Sequence, residues 1–136
     1  MTELNRAPRK RRFSLTFLIL AMSAVVALPL LKRAAELPPD DATQLIRKGA
    51  PLIDVRSPGE FAREAIPGAI NIPMNQLAEE VTARFPNRGQ PLLLHCAVGG
   101  RSLMAVQTLG GLGYERVYNL GSLGRARELV EAAQAP

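Results

Sequence analysis

The chain has 136 residues, a length that suits one domain, and its formal net charge of +5 is unevenly distributed. Residues 1–33 carry seven Lys or Arg and one acid, whereas residues 34–136 carry ten Lys or Arg and eleven Asp or Glu. Because the larger part is close to neutral and the chain has no Trp, the composition excludes a basic, base-stacking surface, and we expect no nucleic acid partner.

The N-terminal segment has the pattern of a membrane-targeting sequence. A basic tail over residues 1–12 is followed at residues 13–31 by nineteen residues without a charge. A helix of that length spans about 28 Å, close to the hydrocarbon thickness of a bilayer, whereas the apolar region of a secretory signal is usually shorter. We therefore expect a transmembrane anchor at 13–31, with a signal h-region cleaved after Ala27 as the alternative.

The charges on either side of this segment predict its orientation. Five Lys or Arg precede it, and two, Lys32 and Arg33, follow it closely. Because positive flanks stay in the cytoplasm, we expect the C-terminal part to lie outside. The expected location is the inner (cytoplasmic) membrane with the domain outside, or the periplasm if the leader is cleaved. Arg11 and Arg12 leave the twin-arginine export route as a lesser option.

Residues 32–39 (KRAAELPP) predict a short linker, and residues 40–136 predict one α/β domain. Periodicity and Gly or Pro breaks indicate four strands, over residues 51–55, 69–72, 91–95 and 117–120. They alternate with five helices. These helices are one capped by Asp40 or Asp41, with Leu45 and Ile46 inward and Gly49 at its end; one with a Ser57–Glu60 capping box, ending near Ala65; one capped by Asn75 and reaching about Phe85; one over 102–109, ended by Gly110 and Gly111; and one over 124–133. Such alternation predicts a small, mostly parallel sheet flanked by helices on both faces.

The single cysteine, Cys96, stands at the end of the most apolar predicted strand, where a helix follows within a few residues. A lone cysteine in an exported protein indicates either a reactive thiol or pairing with another chain, and a small buried apolar residue is the alternative. In open parallel sheets, ligands bind at the carboxyl ends of the strands. The position of Cys96 therefore favours a reactive thiol.

The residues after Cys96 predict a cradle for an anion on its sulfur. Gly99 and Gly100 allow the backbone N–H groups of Ala97, Val98, Gly99, Gly100 and Arg101 to turn inward, and the following helix directs its positive end to the same point. These donors favour a thiolate over a thiol and so lower the cysteine pKa. Arg101 adds a guanidinium suited to an oxyanion such as a sulfonate.

Four stretches together resemble the rhodanese superfamily. They are LIDVR with the following Glu60-Phe61, IPGAINIP from Ile66, HCAVGGRS from His95, and Gly113-Tyr114 with VYNL. Their order and spacing match the family across residues 40–133. The resemblance, which extends to small exported single-domain members, implies a rhodanese-like three-layer fold behind the N-terminal helix.

This resemblance also implies a sulfurtransferase. Cys96 would attack the outer sulfur of a small sulfur-containing anion such as thiosulfate and become a persulfide, which a thiol or cyanide would then discharge. The amides of residues 97–101 would cradle the persulfide, and Arg101 would hold the sulfonate end of the donor. The family implies no metal and no organic cofactor.

Two other functions stay open: a non-catalytic rhodanese-like module that carries sulfur or binds a partner, and a thiol phosphatase or arsenate reductase. Only four residues separate Cys96 from Arg101, whereas related phosphatase loops have five, which favours sulfur.

Neighbouring polar residues are candidates for supporting positions. Ser102 follows the loop, and Asp54 could bond to loop backbone near the site, although a structural ion pair of Arg56 with Glu60 is the preferred interpretation for that region. His95 is expected to point away from Cys96 and to serve packing, because adjacent strand residues face opposite sides.

Overall fold

The structure is a computed structural model, and it describes residues 19, 22, 23 and 35–136. Ile19, Met22 and Ser23 are helical and exposed; the basic tail and the rest of the predicted anchor at 13–31 lie outside the described residues, as does the start of the predicted linker. Within the part of the chain that the structure describes, no helix combines the length and the hydropathy that a membrane span requires.

A four-stranded parallel sheet forms the centre of the domain. Its strands are Leu52–Asp54 (β1), Ile70–Asn71 (β2), Leu92–His95 (β3) and Val117–Gly121 (β4), and they lie in the order β2-β1-β3-β4. Every residue of β1 and β3 is buried. This is the pattern of strands covered on both faces, and the predicted parallel sheet is confirmed.

Helices cover both faces of the sheet. They are Pro39–Arg47 (α1), Pro58–Arg63 (α2), Leu77–Arg84 (α3), Gly100–Gly111 (α4) and Leu123–Gln134 (α5), with a 3-10 turn at Met74–Gln76 before α3. One core cluster joins Leu92 and Leu94 to apolar residues of α3 and α4, and the other joins Leu93 to residues of α1 and α5. Alternate residues of β3 therefore face opposite layers, and the predicted three-layer arrangement is confirmed.

Helix starts differ from the sequence-based expectation at α1, α3 and α4, and α5 begins at Leu123, one residue before its predicted start. α1 begins at Pro39 without a side-chain cap, and Asp40 and Asp41 lie in its first turn, because proline suits the first helical position and needs no N–H partner. Asn75 lies inside the 3-10 turn and does not cap α3. α4 begins at Gly100, two residues before the predicted start. The Ser57–Glu60 capping box of α2 is confirmed.

Part of the predicted linker belongs to the domain. Leu37 N–H donates to the Asn119 carbonyl at 2.9 Å, and Glu36 forms a parallel bridge with Asn119. The Arg125 guanidinium donates to the Leu37 carbonyl at 2.6 Å and to the Leu120 carbonyl at 2.7 Å, and it pairs with Glu36 at 3.2 Å. Residues 36–37 therefore extend the sheet along the β4 edge.

Candidate functional site

The cysteine loop, residues 96–101, leaves the carboxyl end of β3 and enters α4. It is fixed to the connection after β4: Cys96 N–H donates to the Gly121 carbonyl at 3.1 Å, and Ala97 accepts from Leu123 N–H at 3.4 Å. Val98 also bridges Ser122. The loop is thus held at the edge of the sheet where parallel strands present ligand sites, as predicted.

The Cys96 sulfur sits inside the curve of this loop. The Gly99 N–H donates to Sγ at 3.0 Å, and the Ser102 hydroxyl lies 3.5 Å away. Burial alone raises the pKa of the Cys96 thiol, but the Ser102 hydroxyl and the amides of Ser102, Val98 and Gly99 outweigh that effect, so the pKa lies below its ordinary value. The environment therefore favours a thiolate.

Among the described residues, the donors that lower the pKa of Cys96 most are the hydroxyl and amide of Ser102 in α4 and the amides of the loop residues Val98 and Gly99. Cys96 has no exposed surface. A reagent or donor can therefore reach the sulfur only after a local movement of the surrounding side chains.

Gly99 has a backbone that other residues rarely adopt. Its φ is +92°, and a Cβ there would lie 3.3 Å from the Gly121 Cα. Gly100, in contrast, begins α4 in the ordinary helical region. The positive φ and the close approach to β4 therefore explain why residue 99 is a glycine. Neither feature requires a glycine at position 100.

Ser102 connects the sulfur to a buried asparagine. Its fully buried hydroxyl lies 2.7 Å from Asn119 Oδ1, and Asn119 Oδ1 also accepts from Gly121 N–H at 2.9 Å. The carbonyls of Gly99 and Gly121 lie 3.2 and 3.4 Å from the same hydroxyl. A hydroxyl has one proton, so it donates to one of these acceptors at a time, and Asn119 Oδ1 is the nearest of them. Asn119 was missed by the sequence reasoning. A polar residue in the otherwise apolar VYNL strand was the available signal.

Arg101 does not extend free into the site. Its Nη1 and Nη2 atoms donate to the two Glu60 carboxylate oxygens, both at 2.8 Å. The bond to Glu60 raises the pKa of Arg101, while Arg101 and Ser57 hold the pKa of Glu60 well below its usual range. The expected Arg56–Glu60 pair is wrong, because Glu60 bonds to Arg101 across the site.

Arg56 instead forms a buried pair with Asp54. Arg56 Nε lies 3.0 Å from both Asp54 carboxylate oxygens, and its backbone N–H donates to Asp54 Oδ1 at 2.9 Å. Arg56 Nη2 also donates to the Glu64 carbonyl at 2.6 Å. In the part of the chain that is described, the Asp54 carboxylate therefore bonds to Arg56 and not to the cysteine loop, and the pair shapes the turn after β1.

His95 is buried next to this pair and faces away from the sulfur. Its Nε2 lies 3.7 Å from Asp54 Oδ2 and has no hydrogen-bond partner, while Nδ1 lies 3.4 Å from the Cys96 carbonyl. Burial lowers the pKa of His95 more than Asp54 raises it, so the ring is neutral at pH 7. These contacts agree with a packing role.

Among the described residues, depressions border the cysteine loop at Val98 and at Arg101. The larger, about 920 Å³, lies beside Val98 and contains the carboxylates of Glu36 and Glu128 as well as Arg125. The smaller, about 390 Å³, lies beside Arg101 and is lined by Val55, Ser57, Pro58, Pro73, Met74 and Asn75. Among the described residues, no three His, Cys, Asp or Glu side chains cluster as a metal site would require.

Comparison with known proteins agrees with this geometry. The family model of the rhodanese-like domain matches residues 38–123. Thiosulfate sulfurtransferase PspE of Escherichia coli is 35% identical over 71 residues, covering 52% of this chain and 68% of that protein. The tRNA sulfurtransferase of Desulfurococcus amylolyticus is 38% identical over 82 residues, or 59% of this chain, but the match spans only 15% of its length.

A solved structure gives the same agreement in three dimensions. The human single-domain sulfurtransferase TSTD1 superposes with a TM-score of 0.57 at 32% identity, covering 71% of this chain and 96% of that one.

Proposed function

Because the chain belongs to the rhodanese-like family, we propose that it is a sulfurtransferase that carries sulfane sulfur on Cys96. The observation that carries the proposal is the Cys96 sulfur itself. It lies at the carboxyl end of β3, with its pKa lowered by the donors of the loop and α4. No metal or organic cofactor takes part in this proposal.

In the first step, the Cys96 thiolate attacks the outer sulfur of a donor such as thiosulfate. The Sγ–S bond forms as the S–S bond of thiosulfate breaks, and sulfite leaves with the electron pair. The product is a Cys96 persulfide anion. Amides at Val98 and Gly99 would stabilise its charge, since preorganised N–H donors act strongly in a buried site.

In the second step, an acceptor removes the outer sulfur. Cyanide would leave as thiocyanate, and a thiolate would become a persulfide, in each case with Cys96 restored as the thiolate. His95, which is buried beside Asp54, takes no part in either step of this proposal. The Ser102 hydroxyl would donate its hydrogen bond to the sulfur when the sulfur is charged and to Asn119 Oδ1 when the sulfur is neutral.

Intact mass spectrometry tests the proposal. The domain incubated with thiosulfate should gain about 32 Da, one sulfur atom, and lose it on addition of cyanide or a thiol. The variant Cys96→Ser, which keeps the size and loses the nucleophile, should show no gain. No adduct from thiosulfate or any organic persulfide would overturn the proposed function.

The burial of Cys96 favours one alternative, a sulfur carrier or partner-binding module with slow turnover of its own. Such a protein would load sulfur once and form thiocyanate slowly, because each exchange awaits a local movement. Steady-state thiocyanate formation, compared with the rate of single loading, separates the two. A phosphatase is opposed by the four-residue spacing of the loop, and release of phosphate from an aryl phosphate would support it.

We also propose that the domain works outside the cytoplasm, tethered through residues 13–31 or released into the periplasm. The charge distribution of residues 1–33 supports this placement. Protease added to spheroplasts should then degrade the domain. Protection of the domain in intact spheroplasts, with digestion after lysis, would contradict it.

A further inference from the structure

Arg101, the cation expected to attract a sulfonate donor, is already paired with a carboxylate of the protein. Both terminal nitrogens of Arg101 donate to Glu60, in the two-pronged geometry in which a guanidinium also binds a sulfonate. A sulfonate at this place must either displace the carboxylate or bind beside its negative charge. Either course costs binding free energy relative to a free arginine.

Glu60 is held in this position independently of Arg101. Ser57 N–H and the Ser57 hydroxyl both donate to Glu60 Oε2 at 3.0 Å, as part of the capping box of α2. The side chain of Glu60 is about one quarter exposed and that of Arg101 about two fifths, at 26% and 39%. The carboxylate is therefore fixed to α2, and an incoming anion does not remove it simply by taking Arg101.

The depression beside Arg101 suits a different kind of group. Its walls include Val55, Pro58, Pro73 and Met74, with Ser57 and Asn75 as the neutral polar residues. At about 390 Å³ it lies within the usual range for small-molecule sites. Apart from Arg101, none of the residues that line it is charged, so it offers an uncharged organic group apolar contact and little else.

We propose that Glu60 is a specificity-determining residue that disfavours sulfonate-bearing donors, and that the preferred donor is a low-molecular-weight organic persulfide, R–S–SH, with an uncharged R group. This inference rests on the proposed sulfur transfer through Cys96. It adds the class of donor and the residue that selects it.

The reaction with such a donor balances without any further reagent. The Cys96 thiolate attacks the outer sulfur of R–S–SH, a bond forms between Sγ and that sulfur, and the S–S bond of the donor breaks. The leaving R–S takes the electron pair and the proton of the outer sulfur. The products are a Cys96 persulfide anion and R–SH.

A matched pair of donors tests the inference on the full chain. 2-Hydroxyethyl persulfide and 2-sulfoethyl persulfide, each made from its disulfide and sulfide, differ in the sulfonate and have the same reacting sulfurs. Rates of Cys96 loading are measured by quenched intact mass. The hydroxyethyl donor should load the wild-type protein about tenfold faster, the factor given by 1.4 kcal/mol.

The Glu60→Gln variant tests whether the charge of Glu60 causes the difference between the two donors. Glutamine can keep the capping box, so α2 should persist. Loading from 2-sulfoethyl persulfide and from thiosulfate should rise about tenfold, and loading from the hydroxyethyl donor should change by less than about twofold. Glu64→Gln removes the same charge from a surface pair with Arg127, at 2.7 Å, and should leave all three rates unchanged.

The outcomes separate this inference from the proposed function. Equal wild-type loading by the two persulfides, or a rise for all donors alike in Glu60→Gln, would overturn the role of Glu60 and leave sulfur transfer standing. No loading by any donor would overturn both. The wild-type comparison decides the donor class even if the variant is unstable.

Discussion

At the residue scale, the acidity of Cys96 comes from hydrogen-bond donors close to the sulfur. Gly99 N–H and the Ser102 hydroxyl reach it, whereas the fork of Arg101 is bound to Glu60. Short-range donors favour the charged sulfur even where burial opposes it. Ser102 is the side chain in this set that can be changed without altering the backbone.

Ser102→Ala should raise the pKa of the Cys96 thiol, because the variant loses the hydroxyl and keeps the burial. The thiolate absorbance near 240 nm, followed against pH with Cys96→Ser as the blank, should shift its midpoint upward. Thr108→Ala on the same helix removes a hydroxyl that donates to the Met104 carbonyl at 3.0 Å, and should not move the midpoint. An unchanged midpoint in Ser102→Ala would show that the amides suffice.

His95 should make the stability of the domain depend on pH. The unfolded chain takes up a proton near pH 6.5, but the buried ring, whose pKa is lowered, does so only at lower pH. The unfolded state therefore binds more protons as the pH falls below 6.5, and the free energy of unfolding decreases.

The decrease is limited to about 1.4 kcal/mol per pH unit for one proton. Urea unfolding between about pH 7 and pH 5, a range above the usual carboxylate titrations, measures it. In the His95→Asn variant, the free energy of unfolding should change less with pH over this range. An equal slope in the variant would assign the pH dependence to other groups.

At the scale of elements, the positive φ of Gly99 is what lets β3 turn into α4 against Gly121. Gly99→Ala should lower the free energy of unfolding by about 1–2 kcal/mol, from the left-handed backbone alone, with more from the contact to Gly121. It should also slow the loading of Cys96, since the amide that reaches Sγ would move.

Gly124→Ala is the matched control. Gly124 lies in α5 at ordinary φ, and a Cβ there meets nothing within 4 Å. This substitution should be neutral or stabilising by up to about 1 kcal/mol, because alanine is the better helix former. Denaturant unfolding and loading rates, measured for both variants, distinguish a defect of the loop from a general effect of adding a methyl group.

The elements themselves were predictable from sequence because their signals are local. The apolar run of β3 and the Ser57–Glu60 capping box each depend on residues within a few positions of one another. The partner of Glu60 was not predictable in this way. Arg101 is 41 residues away, and the choice between it and Arg56 depends on how α2 and α4 meet.

The same reasoning covers Asn119 and the start of α1. Asn119 reaches Ser102 only because β4 pairs with β3, a contact between strands that periodicity does not specify. At α1 the sequence offers Pro39, Asp40 and Asp41 as candidates for the start of the helix, and the helix begins at Pro39. The position of the cysteine loop could be predicted from the sequence. The side chains that bond to the loop residues could not, because their placement depends on tertiary packing.

At the scale of the whole molecule, Arg125 ties three parts of the domain together. It contacts the segment before α1 through Glu36 and Leu37, and the end of β4 through the Leu120 carbonyl, while belonging to α5. Removing it would leave two part-buried carbonyls without their donor. Such losses cost roughly 1–3 kcal/mol each.

Arg125→Gln should therefore loosen residues 35–38. Amide hydrogen exchange at Leu37, whose N–H is bonded to Asn119, should become about tenfold faster or more, with β1 and β3 little changed. Arg127→Gln, which breaks a surface pair with Glu64, is the control and should leave this segment protected. Unchanged exchange at Leu37 would mean that the strand pairing alone holds it.

The docking of residues 36–37 on β4 also matters for how the domain behaves in solution. Without those two residues, the outer N–H and C=O groups of β4 would be free to pair with a strand of another molecule, the usual starting point for self-association. A recombinant form trimmed to begin at Pro39 should elute from a sizing column as dimers or larger species. One that retains Glu36 should elute as a smaller species, so a recombinant version of this domain is best cut upstream of that glutamate.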